Sequence, residues 1–174
     1  MNNRQYELED LKRICHNFLK YEHSIDLIMA PSRLENPYCK SNRSMFSDDN
    51  DDCKNAVYQC QTIQQLQRLM CDSRYFRLNL MALDKHGTLE FRQHLGTLNL
   101  DQVECWIRFV LWFVNNSIVQ TRSLALLNSR TCEYGFEAMF KYLIKDEELR
   151  NYYYKRKEEL ERTNNGQSAC KCGC

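Results

Sequence analysis

Apolar residues recur at helical spacing in five stretches of the chain. In residues 6–21, Leu8, Leu11, Ile14, Cys15, Phe18 and Leu19 fall on one face, which predicts an amphipathic helix. The same spacing predicts further helices over residues 62–70, 102–116, 132–144 and 146–162. The last of these carries many charged residues, and we expect it to be exposed.

The helix over residues 102–116 is the most apolar of the five. Asp101 is placed to cap its start. Its main stripe consists of Val103, Trp106, Ile107, Val110, Leu111 and Val114, and it is widened by Phe109, Trp112 and Phe113. We therefore expect this helix to be buried on most sides, under the apolar face of a sheet.

Polar and apolar residues alternate in two neighbouring segments, residues 74–83 and 88–95, which predicts two strands. The segment 84–87 between them is short, polar and ends in glycine, so a hairpin is expected. If Leu83 opposes Thr88, then Asn79 opposes Arg92. In the same register Arg77 opposes His94. One face then carries Arg77, Asn79, Glu90, Arg92 and His94, and the other carries Phe76, Leu78, Leu80, Leu89 and Phe91.

The remaining segments are predicted to be irregular. Residues 29–44 contain both prolines of the chain and are expected to form an ordered loop. The acidic segment 47–55 is expected to be an exposed loop. We predict an α+β domain over residues 1–162, in which helices pack on a small antiparallel sheet with a central hairpin at about 74–95. Residues 163–174 are predicted to be a flexible, cysteine-rich tail.

Composition narrows the function classes. The 24 basic and 23 acidic side chains nearly balance, which gives no electrostatic reason to expect nucleic acid as a partner. The longest apolar run, residues 109–114, is far too short for a transmembrane segment. The first twenty residues do not have the pattern of a signal peptide, so we expect a cytoplasmic protein. The ten cysteines are accordingly expected to be mostly reduced, with Cys15 and Cys105 packed as small apolar side chains.

The order of motifs around the hairpin resembles a known family. The string "RYFRLNLMALDKHGTLEFRQHLGTL", followed by a Trp-containing helix, is similar to the C-terminal core of the amidoligases. The upstream "SRLENPYC" resembles the Ser-Arg-x-x-Asn-x-Tyr-Cys segment of that family. These stretches run from about residue 25 to about residue 115, roughly half the chain. The resemblance implies a partial glutamine synthetase-like fold, related to glutamate–cysteine ligase.

The resemblance also implies an ATP-dependent carboxylate–amine ligase that uses Mg²⁺ and acts on amino acids or peptides. In such enzymes an acyl phosphate forms and an amine then attacks it. Carried over to this sequence, Glu90 is a magnesium ligand and Arg92 contacts the phosphoryl group or the substrate carboxylate. Arg33 and Asn36 line the substrate or nucleotide side. Asn79 orients Arg92, and Arg77 lies on the same face.

The residues alone leave plainer interpretations open. Glu90 and Arg92 also fit a surface ion pair on a strand. Arg33 and Asn36 fit loop structure, with Asn36 as a turn residue before Pro37. His94, near a strand end, fits a structural histidine better than a ligand or an acid–base group. The tail "CKCGC" fits an unmodified segment, a soft-metal ligand or a lipid attachment site.

The sequence departs from the family in one respect. Complete members open with a Gly-x-Glu-x-Glu strand that supplies most of the metal-binding carboxylates, and "YELED" lacks both the glycine and the strand character. We therefore expect the C-terminal half of such an enzyme, with an N-terminal half or subunit as its partner. The alternative is a non-catalytic interaction or scaffold module, derived from such a ligase, that binds a partner through its apolar surface.

Overall fold

A computed structural model describes residues 6–46, 50–119 and 132–169 of the 174. In this part of the chain the backbone is mostly helical, with one pair of short antiparallel strands. The elements, in chain order, are α1 (Leu8–Asp26), α2 (Pro31–Leu34), a 3₁₀ turn (Asn42–Met45), α3 (Asn50–Gln59), α4 (Ile63–Met70), β1 (Leu78–Asn79), α5 (Ala82–His86), β2 (Glu90–Phe91), α6 (Leu100–Val119), α7 (Cys132–Tyr142) and α8 (Glu147–Ala169). The predicted α+β character is confirmed.

The first helix lies at the centre of the molecule. It packs against α3, α4, α6 and α7. On its predicted apolar face Leu11, Ile14, Cys15 and Phe18 are fully buried, and Leu8 is partly buried. Because neighbours surround α1, several of its polar side chains are also enclosed. The buried charge of Glu22, near its C-terminal end, matters for the site described below.

The predicted hairpin exists, but its strands are short and its connection is different. Leu78 pairs with Phe91 and Asn79 pairs with Glu90, a shift of two residues from the expected register. The segment expected to turn tightly forms α5 instead, which ends at Gly87 in the left-handed region (φ 65°). Leu83 lies inside that helix and cannot pair with Thr88. Since the shift is an even number, Asn79 and Glu90 still share a face.

The proline-containing segment, residues 29–44, runs beside the residues that lead into β1. Lys40 forms a parallel bridge with Phe76, and its amide donates to the carbonyl of Tyr75. The segment is not irregular throughout, because α2 begins at Pro31, where a proline at the first helical position loses no hydrogen bond. The acidic segment was likewise expected to be a loop, whereas its residues from Asn50 onward begin α3.

The long apolar helix α6 is capped by Asn99, whose side chain accepts from the amide of Gln102, and not by Asp101 as expected. Its fully buried side consists of Phe109, Phe113 and Ser117. Phe113 meets the rings of Phe18 and Phe91 edge-on, so α6 does pack beneath the strand pair.

The line of apolar residues predicted to be the buried side of α6 is buried only in part. Val103, Ile107 and Leu111, at i, i+4 and i+8, are 38%, 53% and 56% exposed. The aromatic rings on the neighbouring face fill the core, which leaves this line of aliphatic residues outside. Leu98 and Leu100, just before and at the start of the helix, are also exposed.

The last helix continues to Ala169, past Thr163 where the tail was expected to begin. The tail cysteines at positions 170, 172 and 174 lie outside the described residues. Within the described ranges, no helix has the length and apolar character that crossing a membrane requires.

Candidate functional site

Asn79, Glu90 and Arg92 form one connected group on the polar side of the strand pair. The Asn79 amide donates to one Glu90 oxygen at 2.8 Å, and the Arg92 guanidinium donates to the other at 2.6 Å. Asn79 is buried, whereas the side chains of Glu90 and Arg92 are 43% and 24% exposed. Asn79, Glu90 and Arg92, which the sequence pattern placed on one face of the hairpin, are therefore in contact. Asn79 reaches Arg92 through Glu90, because it opposes Glu90 and not Arg92.

This group lines an open cavity of about 490 Å³. Its walls are Ser73, Arg74, Asn79, Met81, Ala82, Lys85, His86, Glu90 and Arg92. Arginine and lysine side chains outnumber carboxylates three to one in this lining, which favours an anionic ligand. The Oγ atom of Ser73 is buried in the lining and has no hydrogen-bond partner among the residues described. Such an atom is a ready contact for a bound group.

Sequence reasoning missed most of this wall. Lys85 and His86 lie in the segment expected to be a tight turn, and α5 turns them toward the cavity. Arg74 is the first residue of the first predicted strand. The only signal for these residues was their basic character next to the strand ends, which is too common to single them out.

An aromatic ring contacts two arginines of the cavity without lining the cavity itself. The guanidinium groups of Arg74 and Arg92 lie 5.0 and 5.7 Å from the ring centre of Tyr75, and the ring of Tyr38 meets Tyr75 edge-on at 5.2 Å. Cation–π contacts of this kind help to orient the two arginines, and Arg74 also donates from Nη2 to the hydroxyl of Tyr75 at 3.0 Å. Arg92 also donates from Nε to the carbonyl of Tyr38 at 3.4 Å.

Arg77 does not reach this cavity with its side chain. Its Nη1 donates to Glu22 at 3.0 Å and to Asp26 at 2.7 Å, and its Nη2 donates to the carbonyl of Leu34. Burial raises the pKa of Glu22, and the Arg77 guanidinium opposes that rise. The carbonyl of Arg77 accepts from the amide of Arg92 at 2.7 Å. Arg77 thus joins the strand that carries Asn79 to helix α1.

The two loop residues predicted to line the substrate side bind backbone groups. Arg33 donates to the carbonyls of Arg92 and Gln93, and it thereby fixes the chain just after β2. Asn36 accepts from the amide of Tyr38 at 2.9 Å and donates to the carbonyl of Ser32, which is a turn geometry.

The carbonyl of Arg92 has a second donor in the buried thiol of Cys39, at 3.4 Å. Burial raises the pKa of Cys39, while the nearby guanidinium groups of Arg33, Arg77 and Arg92 oppose the rise. The seven cysteines in the described ranges carry free thiols. Cys39 therefore contributes to the support behind Arg92 and is closed off from solvent.

His94 turns away from the polar group and stacks on Trp106, with ring centres 5.1 Å apart and an interplanar angle of 29°. Burial lowers the pKa of His94, and Arg156 and Arg33 lower it further, against a backbone hydrogen bond at Leu95. Trp106 in turn stacks on Phe109. The face expected from strand alternation therefore ends at Arg92, since the regular pairing stops at Phe91.

Residues 1–114 match the model of a protein family described as "Putative amidoligase enzyme". The match takes in more than half of the 174 residues. The chain belongs to the amidoligase family. The matched range of this amidoligase homologue includes α1 with Glu22, both strands, and α6 as far as Val114. It starts earlier than the segment from about residue 25 that carried the resemblance, and it ends before α7 and α8. No curated protein and no solved structure matched the chain.

The described residues of this amidoligase do not fit a magnesium site by themselves. Within them, no three His, Cys, Asp or Glu side chains cluster closely enough to hold a metal ion. Glu90 is the only carboxylate in the lining of the cavity, and both of its oxygens already accept hydrogen bonds. Magnesium sites in phosphoryl-transfer enzymes combine one or two carboxylates with water and substrate phosphates. Because the Glu90 carboxylate is already paired with the Arg92 guanidinium, it is a poor magnesium ligand by itself.

Proposed function

We propose that this chain is part of an ATP-dependent ligase that forms an amide bond between a carboxylate and an amine of amino acids or peptides. The family match supports an amide-forming ligase. The observation that carries the assignment to this face is the basic cavity around Asn79, Glu90 and Arg92. Both the phosphates of ATP and a substrate carboxylate are anions of the kind that such a lining binds.

In this proposal Arg92 contacts the anionic group. One guanidinium nitrogen is held by Glu90 and another points to the carbonyl of Tyr38, while Nη2 makes no hydrogen bond to any described residue. That nitrogen and the two other cationic side chains of the cavity, Arg74 and Lys85, are the donors available to a phosphoryl or carboxylate group. Glu90 and Asn79 act by fixing the direction of Arg92, and Ser73 adds a hydroxyl.

Arg77 and Arg33 are positioning residues in this proposal. Arg77 ties the strand with Asn79 to Glu22 and Asp26 of α1. Arg33 holds the carbonyl of Arg92. A guanidinium must keep its place to recognise a transferring group, so these supports matter for binding although neither side chain lines the cavity.

Magnesium, which the resemblance implies for ATP, would need carboxylates besides Glu90. We propose that they come from another part of the protein or from a partner chain, such as the N-terminal half of a complete ligase. The cavity at Glu90 is open, so a further segment or chain has access to it. A cytoplasmic setting completes the proposal and agrees with the free thiols of the described residues.

The test is calorimetry on the full chain with a non-hydrolysable ATP analogue, with and without magnesium. We expect binding that Arg92→Met and Arg74→Met each weaken about tenfold, as befits the loss of one charge-assisted hydrogen bond. Arg162→Met, which removes an exposed arginine of α8, is the matched control and should leave binding unchanged. No binding by a folded chain, or equal effects of all three variants, would count against the proposal.

A second candidate function is favoured by the exposed aliphatic residues of α6. Val103, Ile107 and Leu111 form a continuous line on its surface, and this is typical of a helix that packs against a partner. In that case the chain is a non-catalytic interaction module. It would then bind a protein partner through α6 without binding nucleotide, and Ile107→Glu would abolish the complex while Arg92→Met would not.

A further inference from the structure

A second cavity, of about 330 Å³, adjoins the cavity that contains Glu90. Met81, which is 44% exposed, lines both of them. In residues 71–74 the first two line the second cavity, and the last two line the cavity at Glu90. Helix α5 likewise gives Asp84 to the second cavity and Lys85 to the first. The cavity at Glu90 is called the basic cavity below, and the second one is called the acidic cavity.

The acidic cavity carries carboxylates where the basic cavity carries cations. Its carboxylates are those of Asp72 and Asp84, and Arg68 is the only cation among its described lining residues. The carboxylate of Asp72 forms no hydrogen bond or ion pair with a described residue. That of Asp84 accepts one hydrogen bond, from Nε2 of Gln67 at 3.0 Å, and only through Oδ1. Most of the carboxylate oxygens are therefore available to a bound cation.

Gln67 is an independent indication of a ligand in the acidic cavity. It lines the cavity although it is only 7% exposed. Its Nε2 donates to the carbonyl of Leu80 at 3.1 Å and to Asp84, and these two bonds fix the orientation of the amide. In that orientation Oε1 accepts no hydrogen bond from any residue that the structure describes. Because acceptors in side chains as buried as this one are usually paired, the oxygen is a ready contact for a donor in the cavity.

We propose that the acidic cavity binds an ammonium group of the same substrate whose carboxylate lies in the basic cavity. An ammonium group has three N–H donors and no acceptor. The carboxylates of Asp72 and Asp84 and the amide oxygen of Gln67 offer it three acceptors, two of them charged. The substrate class is therefore a zwitterion. This inference rests on the proposed function in that it takes the anion in the basic cavity to be the substrate carboxylate.

The two segments that line both cavities set the length of this substrate. Asp72 and Arg74 are two residues apart, so their Cα atoms are separated by at most about 7 Å, and Asp84 and Lys85 are neighbours. The two charges of the substrate must then lie roughly 7 Å apart, which is the span of two extended residues. A dipeptide or an amino acid with its amine at the far end of the chain has this spacing. An α-amino acid, with both charges on one carbon atom, does not reach both sides of Met81.

An ammonium group that is held between carboxylates keeps its proton and has no lone pair with which to attack an acyl group. In the proposed ligase it therefore serves for recognition, and the amine that is joined belongs to a second substrate. Asp72, Asp84 and Gln67 are accordingly substrate-binding residues and not catalytic residues.

The test is calorimetry on the full chain with 6-aminohexanoate, hexanoate and hexylamine, which share one chain length and differ in their charges. We expect 6-aminohexanoate to bind at least about tenfold more tightly than hexanoate. Asp72→Asn and Asp84→Asn should each weaken the binding of 6-aminohexanoate and hexylamine about tenfold, without weakening that of hexanoate. Arg68→Met, which removes a cation from the lining, should strengthen the binding of hexylamine. Asp101→Asn, at an exposed aspartate of α6, is the matched control and should change nothing.

Two outcomes would overturn the inference. One is equal affinity for 6-aminohexanoate and hexanoate, and the other is an equal loss of both in the two aspartate variants. If Asp84→Asn does not fold, Asp72→Asn decides, because it breaks no hydrogen bond to a described residue. The fate of the proposed function is read separately, from the ATP analogue. A chain that binds the analogue without preferring 6-aminohexanoate overturns this inference alone, whereas the preference without nucleotide binding supports the acidic cavity and counts against the ligase.

Discussion

Asn79 and Glu90 face each other across the strand pair, and the amide of Asn79 donates to the carboxylate of Glu90 at 2.8 Å. The carbonyl oxygen of the Asn79 side chain also accepts from the amide of Met81 at 2.9 Å. Asn79 therefore fixes both the end of β1 and the carboxylate that holds Arg92. The buried side-chain amide of Asn79 therefore holds the residues of the candidate site in position.

Replacing Asn79 with aspartate should reveal this role. Asn79→Asp keeps the acceptor for Met81 but places a second carboxylate opposite Glu90, and like charges directly opposite each other are destabilising. We expect a loss of about 1–3 kcal/mol of unfolding free energy at pH 7. The loss should shrink toward pH 4, where one carboxyl of the pair is protonated. Urea denaturation at both pH values measures it, with Asn151→Asp on the exposed face of α8 as the control.

An Asn79→Asp chain as stable as the control at pH 7 would show that the contact with Glu90 contributes little. A loss of equal size at both pH values would point to packing instead of charge. Asn79→Leu separates these cases further, because it removes both hydrogen bonds without adding a charge.

The parts of the fold that depend on local periodicity could be predicted from the sequence. Helices α1, α4 and α6 and the shared face of Asn79 and Glu90 follow from the spacing of apolar residues. The two-residue register shift could not be predicted, because residues 84–87 have the composition of a turn, whereas the structure has a helix over Ala82–His86. Gly87 has the left-handed conformation expected of a turn glycine, but it ends a helix.

Non-local contacts account for most of what the sequence did not reveal. The partners of Arg77 lie 55 and 51 residues away on α1, and no spacing rule connects them. Helix α6 is apolar nearly all round, so the pattern cannot tell that Phe109 and Phe113 fill the core while Ile107 stays exposed. The sequence predicted the central residues Asn79, Glu90 and Arg92 because they belong to a motif. It did not predict the surrounding residues Arg74, Lys85 and His86.

The buried ion pair of Arg77 should be one of the largest single contributions to stability near the site. Arg77→Met leaves Glu22, which is fully buried, without its cation. We expect a loss of about 3–5 kcal/mol in urea denaturation. Arg162→Met, which breaks an exposed pair with Glu158, should cost less than about 1 kcal/mol.

The double variant Glu22→Gln, Arg77→Met tests the cause of this loss. It removes both charges, so it should be more stable than the sum of the two single losses implies. Additive losses would indicate that the two side chains stabilise the fold independently, and the pair would then not be a unit.

Gly135 lies where α7 approaches α1 closely. A Cβ atom added at Gly135 would overlap the Oγ of Ser24, which donates to the carbonyl of Cys132 at 3.0 Å. Gly135→Ala should therefore destabilise the protein by about 1–3 kcal/mol, although alanine is the better helix former. Thermal or urea unfolding measures the change.

The same substitution in a Ser24→Ala background should be harmless. The added Cβ would lie 3.6 Å from the Cβ of Ser24, an ordinary contact, and the gain in helix propensity would then show. The matched cycle compares Gly135→Ala in the two backgrounds. A cost of Gly135→Ala that is the same in both would mean that the overlap with Ser24 is not its origin.

The buried imidazole of His16 should make the fold sensitive to acid. Its pKa is lowered from the ordinary 6.5 to about 4, first by burial and then by Lys20 and Lys54. Between these values the unfolded chain binds a proton that the folded chain does not, so stability falls as the pH drops from 6.5 toward 4. The lowered pKa corresponds to a loss of about 3 kcal/mol of unfolding free energy at the acid end of this range, and to no loss above pH 7. We expect His16→Gln to reduce the slope of unfolding free energy against pH over this range. The control His86→Gln changes an exposed histidine and should keep the slope of the wild type. Equal slopes for all three proteins would mean that His16 is protonated in the folded state as easily as in the unfolded chain.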